Sequence, residues 1–330
     1  MSGRLEHDLK REKLIAKTLR RMPEFMTEWD QNMTACQKST VTRYQYLMKT
    51  ELYLKSIKPN EKDVTLEDLN FHTAQAFFIS LNTVKRKGKI VEASDSQKCT
   101  IWSAMQSLFV YLYKRKLVAE NPMEMISRPI NHDTDRIREK RVLLSANDFK
   151  KIVEAVDNDY VCEFRKRNKA ILLLFITTGM RKTALTEIDT RDIDEDAGTL
   201  TVIDKRKKTH VYYLGEPTME AINWWLVERS RYTTPQSGDA LFVSKLGKRI
   251  GVDSIDDIVA KYTEKALGKP LTPHKLRAGF INVLYKKTHD LDFVCKAVGH
   301  SAVTTTARYM DAKGDERQRS RDIMNDLISM

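Results

Sequence analysis

The sequence predicts a mainly α-helical protein with a small β-sheet, arranged as an N-terminal helical bundle followed by a mixed α/β half. Three observations carry this. Apolar residues recur at helical spacing through most of the first half. One later stretch, GTLTVIDKRKKTHVYYL, alternates as paired strands do. Between the halves lies a polar run punctuated by Pro122 and Pro129, the composition of a boundary. With 330 residues, 41% of them hydrophobic, the chain is long enough for two domains with cores of their own.

Residues 1–25 form a basic extension rich in helix formers, with Lys10, Arg11, Lys13, Lys17, Arg20 and Arg21. It is either a solvated helix or an arm that contacts a polyanion. Residues 26–125 read as a compact bundle of about four helices. STVTRYQYLMKTELYLKSI places Val41, Tyr44, Leu47, Met48, Leu52 and Leu54 near one stripe. VTLEDLNFHTAQAFFISL opens on Thr65 as an N-cap, with Asp68 three residues on. KCTIWSAMQSLFVYLYKRKLV offers Ile101, Met105, Leu108, Phe109, Leu112 and Tyr113 as an apolar face. The basic segment NTVKRKGKIVEASDS between two of these helices reads as a loop, either laid on phosphates or solvated. Residues 126–144 are the linker, and Ser145 caps the next helix. Residues 145–312 form the second domain: an apolar helix RNKAILLLFITTGM stopping at Gly179, the β-hairpin, then helices at TMEAINWWLVERS, around 253–266, at PHKLRAGFINVLYKKT and at LDFVCKAVG. Residues 313–330 read as a short amphipathic tail helix with Ile323, Met324, Leu327 and Ile328 apolar.

The formal net charge is +12, which attracts a polyanion: nucleic acid first, an anionic membrane second. No stretch approaches the roughly 20 consecutive apolar residues of a membrane span, and the N-terminus lacks a signal-peptide apolar block, so no membrane role is expected. Cys36, Cys99, Cys162 and Cys295 lie far apart with no C-x-x-C pair. They read as buried thiols in a reducing cytoplasm, not as a zinc site or a disulfide framework.

Four stretches concentrate chemistry. In TTGMRKTAL, Arg181 follows the Gly179 helix break. In VIDKRKKTHVYYL, Lys205 sits at the hairpin tip. In LTPHKLRAGF, Pro273 starts a helix on which His274 and Arg277, three apart, share a face. In AVGHSAVTTTARYM, His300 is followed nine residues later by Tyr309. Singly, each has an ordinary structural reading: a cap, a solvated turn, a packing residue. Together they hold two guanidiniums, two imidazoles, an ammonium and a phenol, with no carboxylate, and that set suits a phosphodiester. Arginines grip non-bridging oxygens bidentately and stay charged. Donors already in place meet the charge of a pentacoordinate transition state, and losing one typically costs ~10²–10³ in rate. A phenol can attack phosphorus, and a lysine or histidine can protonate the departing oxygen. Fixed cations take the place of a metal.

In this order the four stretches resemble the signature of the tyrosine recombinase (phage integrase) family, Xer-like and mobile-element integrases included. TTGMR resembles its first-arginine box, VIDKRKKTHVYYL its lysine hairpin, PHKLRAGF its His-x-x-Arg box and VGHSAVTTTARYM its Gly-His box with the nucleophilic tyrosine. The resemblance covers roughly residues 30–312. It implies that the helical half is a SAM-like core-binding domain and the second half a catalytic domain. It further implies that Arg181 and Arg277 hold the scissile phosphate, Lys205 is the general acid on the 5′-hydroxyl leaving group, His274 assists proton transfer, His300 bonds a phosphate oxygen and Tyr309 forms a 3′-phosphotyrosyl bond. There are departures. Ala184 stands where the family shows an acidic residue, with Glu187 one turn further on. Asp204 and Arg206 flank Lys205 where glycines are common, leaving Lys207 and Lys208 as alternative cations.

The activity implied is site-specific DNA recombination of the integrase/excisionase type, metal- and ATP-independent and without a cofactor. Ester is exchanged for ester, and no G-x-x-x-x-G-K-[ST] pattern occurs. The expected partners are double-stranded DNA with a specific core site, a homotetramer on two DNA sites with the tail helix exchanged between protomers, and an accessory DNA-bending or directionality factor. The expected location is the cytoplasm, at the nucleoid. Two other readings stay open: a type IB topoisomerase-like relaxing enzyme, and a non-catalytic DNA-binding regulator of the same fold.

Overall fold

Helix dominates both halves of the chain. The computed structural model describes residues 3–86, 89–130, 144–203 and 209–299, apart from the side chains of 3–7 and 84–91. Two units divide the chain, residues 1–140 and 141–330, and the apolar clusters respect that division: one runs from Ile15 to Met123, the other from Leu144 to Leu276.

The first unit contains α1 (Gly3–Leu19), α2 (Glu24–Ala35), α3 (Thr40–Ile57), α4 (Phe71–Ser80) and α5 (Asp95–Lys114). α3 is the hub, packed by α1, α2, α4 and α5. Trp29, Leu47, Tyr53, Leu54, Ile101, Met105, Leu108 and Phe109 are fully buried. Local chemistry sets the helix starts. Ser39 accepts from the Thr42 amide at 3.2 Å and Ser94 from the Gln97 amide at 3.3 Å. An ionic fork holds α3 to its neighbours: Arg43 Nε and Nη2 donate to the two carboxylate oxygens of Asp30 at 2.9 and 2.5 Å, and Nη1 donates to Glu12 on α1 at 2.6 Å.

Four details of this unit differ from the sequence reading. The buried face of α3 is Arg43, Leu47, Thr50, Glu51, Tyr53 and Leu54, while Val41 and Leu52 are exposed. Each polar residue on the face has a partner: Arg43 meets Asp30 and Glu12 of the neighbouring helices, Glu51 accepts from Arg21 and Lys55, and Thr50 donates to carbonyls of its own helix. Helix α4 starts at Phe71, not after Thr65. Thr65 and Asp68 do bond each other, at 2.8 and 3.0 Å, but the full capping box is Asn70 with Thr73. The basic segment read as a loop contains an antiparallel ribbon, β1 (Val84–Arg86) paired with β2 (Lys89–Val91). On α5, Tyr113 is exposed while the other five apolar positions are buried.

The second unit opens with α6 (Ala146–Asp157), capped by Ser145 as the sequence predicts, in a full box with Asp148. Next come α7 (Arg165–Thr178) and the short α8 (Lys182–Thr186). A sheet follows, β3 (Ile193–Asp194), β4 (Thr199–Ile203) and β5 (Thr209–Tyr213), all antiparallel in that order. Then come α9 (Glu216–Arg229), α10 (Val252–Leu267), α11 (Pro273–Thr288) and α12 (Leu291–Ala297). α7 is the core helix. It packs against α6, α9 and α11, and Ile171, Leu172, Leu174 and Phe175 have no exposed surface, because residues 170–176 are apolar around the whole helix. A separate apolar cluster of Ile281, Val294 and Val298 fastens α12 to α11. Of the cysteines, Cys99 and Cys295 are buried and Cys162 is half-buried, but Cys36, at the end of α2, is exposed, contrary to the sequence expectation. No helix among the described residues is long and apolar enough to cross a membrane.

Candidate functional site

α7 ends because Gly179 takes the left-handed conformation, φ 59°, and its amide bonds back to the Phe175 carbonyl at 3.0 Å. A Cβ at this position would lie 2.5 Å from Cδ1 of Phe280 on α11, so glycine is required both for the backbone and for the close approach of α11. Two residues on, Arg181 is extended (φ −77°, ψ 142°), and its carbonyl accepts the first bonds of α8, from the Ala184 and Leu185 amides. α8 is pinned at both ends. Lys182 Nζ pairs with Asp256 of α10 at 2.6 Å. At the exit, Arg249 donates to the carbonyls of Thr186 and Ile188 at 3.0 and 3.1 Å and pairs with Asp189. Arg181 thus stands, half-buried, on a short rigid step. Ala184 faces the apolar core, and Glu187 closes α8 half-buried.

Pro273 occupies the first turn of α11, so His274 and Arg277 project from the helix start. Arg277 is 3% exposed. Its Nη1 donates to the Gly179 carbonyl and its Nη2 donates to the Val298 carbonyl at 2.9 Å. One guanidinium therefore ties together the turn that presents Arg181 and the turn that leads into His300. A guanidinium has five N–H donors, so holding these carbonyls is compatible with gripping an anion. His274 keeps an exposed edge. Its pKa lies below the ordinary imidazole value, first through partial burial and then through repulsion by Arg277, Lys275 and Arg181. That repulsion places Arg181, His274 and Arg277 in one electrostatic neighbourhood.

The hairpin meets the same place. On β5, residues alternate, with His210 and Tyr212 turned inward and their neighbours exposed. His210 Nε2 lies 3.3 Å from the Ala297 carbonyl, and a Cβ on Gly299 would sit 3.5 Å from the His210 ring. Gly299 itself has φ 66°, the backbone that turns the chain after α12. His210 is the residue that sequence reading missed. Strand alternation signals its inward face, but nothing local signals its partner on α12.

Of the six expected site residues, Arg181, His274 and Arg277 are brought together. Lys205, His300 and Tyr309, like Lys207, Lys208 and the tail 313–330, lie outside the described residues. What the described part can do is hold a compact anion: two guanidiniums and a partly desolvated imidazole attract a tetrahedral oxyanion strongly. Among the described residues no group of three or more His, Cys, Asp or Glu is placed to hold a metal ion.

Comparison with known proteins gives a consistent picture. The family model described as "Phage integrase family" matches residues 143–316, more than half of the chain. The curated protein "Tyrosine recombinase XerC" of Pseudomonas fluorescens (strain Pf0-1) is 33% identical over 214 residues, 63% of this chain and 66% of that protein. The chain thus spans just under two thirds of that relative's length. Among solved structures, the XerH site-specific recombinase bound to palindromic difH substrate, a post-cleavage complex, superposes with a TM-score of 0.64 at 21% identity, covering 87% of this chain and 80% of that one. A lambda integrase tetramer bound to a Holliday junction gives 0.64 at 16% identity, with 88% and 77% covered. At these identities the likeness is one of fold.

Proposed function

Because the chain belongs to the tyrosine recombinase (phage integrase) family, we propose that it is a site-specific DNA recombinase, acting on double-stranded DNA through a 3′-phosphotyrosyl intermediate. The observation that carries the reading is the bridge made by Arg277, which joins the Gly179 turn to the Val298 turn beside Arg181 and His274.

In this reading the scissile phosphate lies against Arg181 and Arg277, whose guanidiniums bond its non-bridging oxygens. The phenolic oxygen of Tyr309 attacks phosphorus in line with the 5′-oxygen, and its proton passes toward His274, whose depressed pKa keeps the imidazole neutral and able to accept it. His300 donates to a phosphate oxygen. Lys205 protonates the departing 5′-oxygen as the P–O bond breaks. The product is a tyrosyl 3′-phosphodiester and a free 5′-hydroxyl. Religation reverses each transfer, with the 5′-hydroxyl of a partner strand attacking phosphorus and the phenol leaving. One ester replaces another at each step, so no external energy source is needed.

The assembly belongs to the same proposal: four protomers on two core sites, coupled through the 313–330 tails, with an accessory DNA-bending or directionality factor, acting on chromosomal or mobile-element DNA in the cytoplasm. Likewise the helical unit serves as the core-binding domain.

A nicked suicide substrate tests the reading, because cleavage then releases a short fragment and traps the covalent complex. The parent protein should give a denaturation-resistant protein–DNA band, and Tyr309→Phe should bind the same DNA and give none. No band from the parent would leave a DNA-binding regulator. A band accompanied by supercoil relaxation, but with no joining of two sites, would make it a relaxing enzyme.

A further inference from the structure

We infer that His210 is a positioning residue for this reaction: by donating from Nε2 to the Ala297 carbonyl it latches the hairpin that carries Lys205 onto the end of α12. The inference rests on the proposed recombinase reading and adds to it a residue outside the six expected site positions.

Four observations support it. The Nε2–O separation is 3.3 Å across 87 positions of sequence, so the bond joins elements that no local structure holds together. The ring stands edge-on to Tyr212, with centroids 4.3 Å apart, which fixes its plane. Val202 opposite it in the β4–β5 register is buried, so the strand around His210 is anchored. Finally, the adjacent carbonyl, Val298, is held by Arg277. Two successive carbonyls at the end of α12 are thus gripped from different sides, one by the phosphate-binding arginine and one by the hairpin.

The chemistry of the latch follows from its place in the chain. β4 ends at Ile203 and β5 begins at Thr209, and Lys205 lies between them in the sequence. β5 is the edge strand of its sheet, hydrogen-bonded on one side only, so its other side is held only by contacts from beyond the sheet. His210 supplies that contact at the strand's start. General-acid catalysis requires the ammonium within hydrogen-bond reach of the leaving oxygen, and small misplacements of reacting groups cost up to about a hundredfold. The latch therefore acts on protonation of the 5′-oxygen and not on DNA affinity.

The test compares three proteins on two suicide substrates, one with the normal 5′-bridging oxygen and one with sulfur in its place. A thiolate leaves without being protonated, so the sulfur substrate is indifferent to the position of the acid. His210→Phe keeps a ring for packing but loses the donor. It is expected to bind DNA like the parent and to cleave the oxygen substrate roughly ten- to a hundredfold more slowly, while cleaving the sulfur substrate near the parent rate. His210→Gln, whose side-chain amide can still donate, should recover most of the loss. Parental cleavage of the oxygen substrate by His210→Phe overturns the inference. So does an equal loss on both substrates, which would mean that the contact serves the α12 turn or overall folding. If the parent itself forms no covalent complex, it is the recombinase reading that fails, and the two failures are separable.

Discussion

In the proposed reading, Arg277 is as much a structural residue as a chemical one. A buried guanidinium is tolerated only where its N–H groups are met, and here backbone carbonyls of two separate turns meet them. Arg277→Ala should therefore do more than slow the reaction. Two carbonyls lose their donor, and at about 1–3 kcal/mol for each unsatisfied buried group the variant is expected to lose roughly 2–6 kcal/mol in urea denaturation as well as its cleavage activity. Arg277→Lys cannot reproduce the fork and should fall between. Parental stability in Arg277→Ala would show that water replaces the guanidinium without cost. His274 gives a pH signature. Its folded pKa is depressed, so below the free value near 6.5 the unfolded chain binds more protons than the folded one. The contribution of His274 to stability is present in full above that value and is lost as the pH falls through it toward the folded pKa. Between pH 7.5 and 5.5 the urea midpoint of the parent should fall further than that of His274→Gln. Equal falls would mean that the imidazole is not desolvated.

The break after α7 fixes the geometry of Arg181, and it is legible in the sequence as Gly179 following an apolar run. What is not legible is why only glycine serves. The ring of Phe280, about a hundred residues away, occupies the space where a Cβ would go. Gly179→Ala meets both a left-handed backbone and that ring. It is expected to cost about 1–3 kcal/mol, measurable by thermal unfolding, and Phe280→Leu in the same chain should relieve the clash but not the backbone part. Full recovery in the double variant would remove the backbone argument. The same distinction explains the misplaced start of α4 and the misread face of α3. Thr65 and Asp68 satisfy the local capping pattern, yet Asn70 and Thr73 make the complete box at the helix start. Arg43 is polar by composition but buried because Asp30 and Glu12 reach it from other helices. Periodicity reports the average face of a helix, and it cannot report a partner supplied from elsewhere.

The same holds for the site itself. The four boxes are readable as residue types at short spacings, and so is their order along the chain. The convergence of their described parts is a property of carbonyls: Gly179, Ala297 and Val298 are held through backbone oxygens that any residue would supply, which is why His210 left no signal. The division of the chain, in contrast, is visible both in the proline-marked boundary and in the two apolar clusters, which share no residue. Each unit has its own buried core and a basic surplus, and this leads to a prediction about binding. If both units place Lys and Arg on phosphates, the affinity of the full chain should fall with salt at a slope near −0.9 per phosphate neutralised. Fragments 1–140 and 141–330 should each fold cooperatively and each show a shallower slope, the two adding to about that of the parent. Fluorescence anisotropy over a series of salt concentrations measures all three. A fragment with no salt dependence would confine DNA contact to the other unit. A parent slope well beyond the sum would mean that phosphate contacts form only when the two units are joined in one chain.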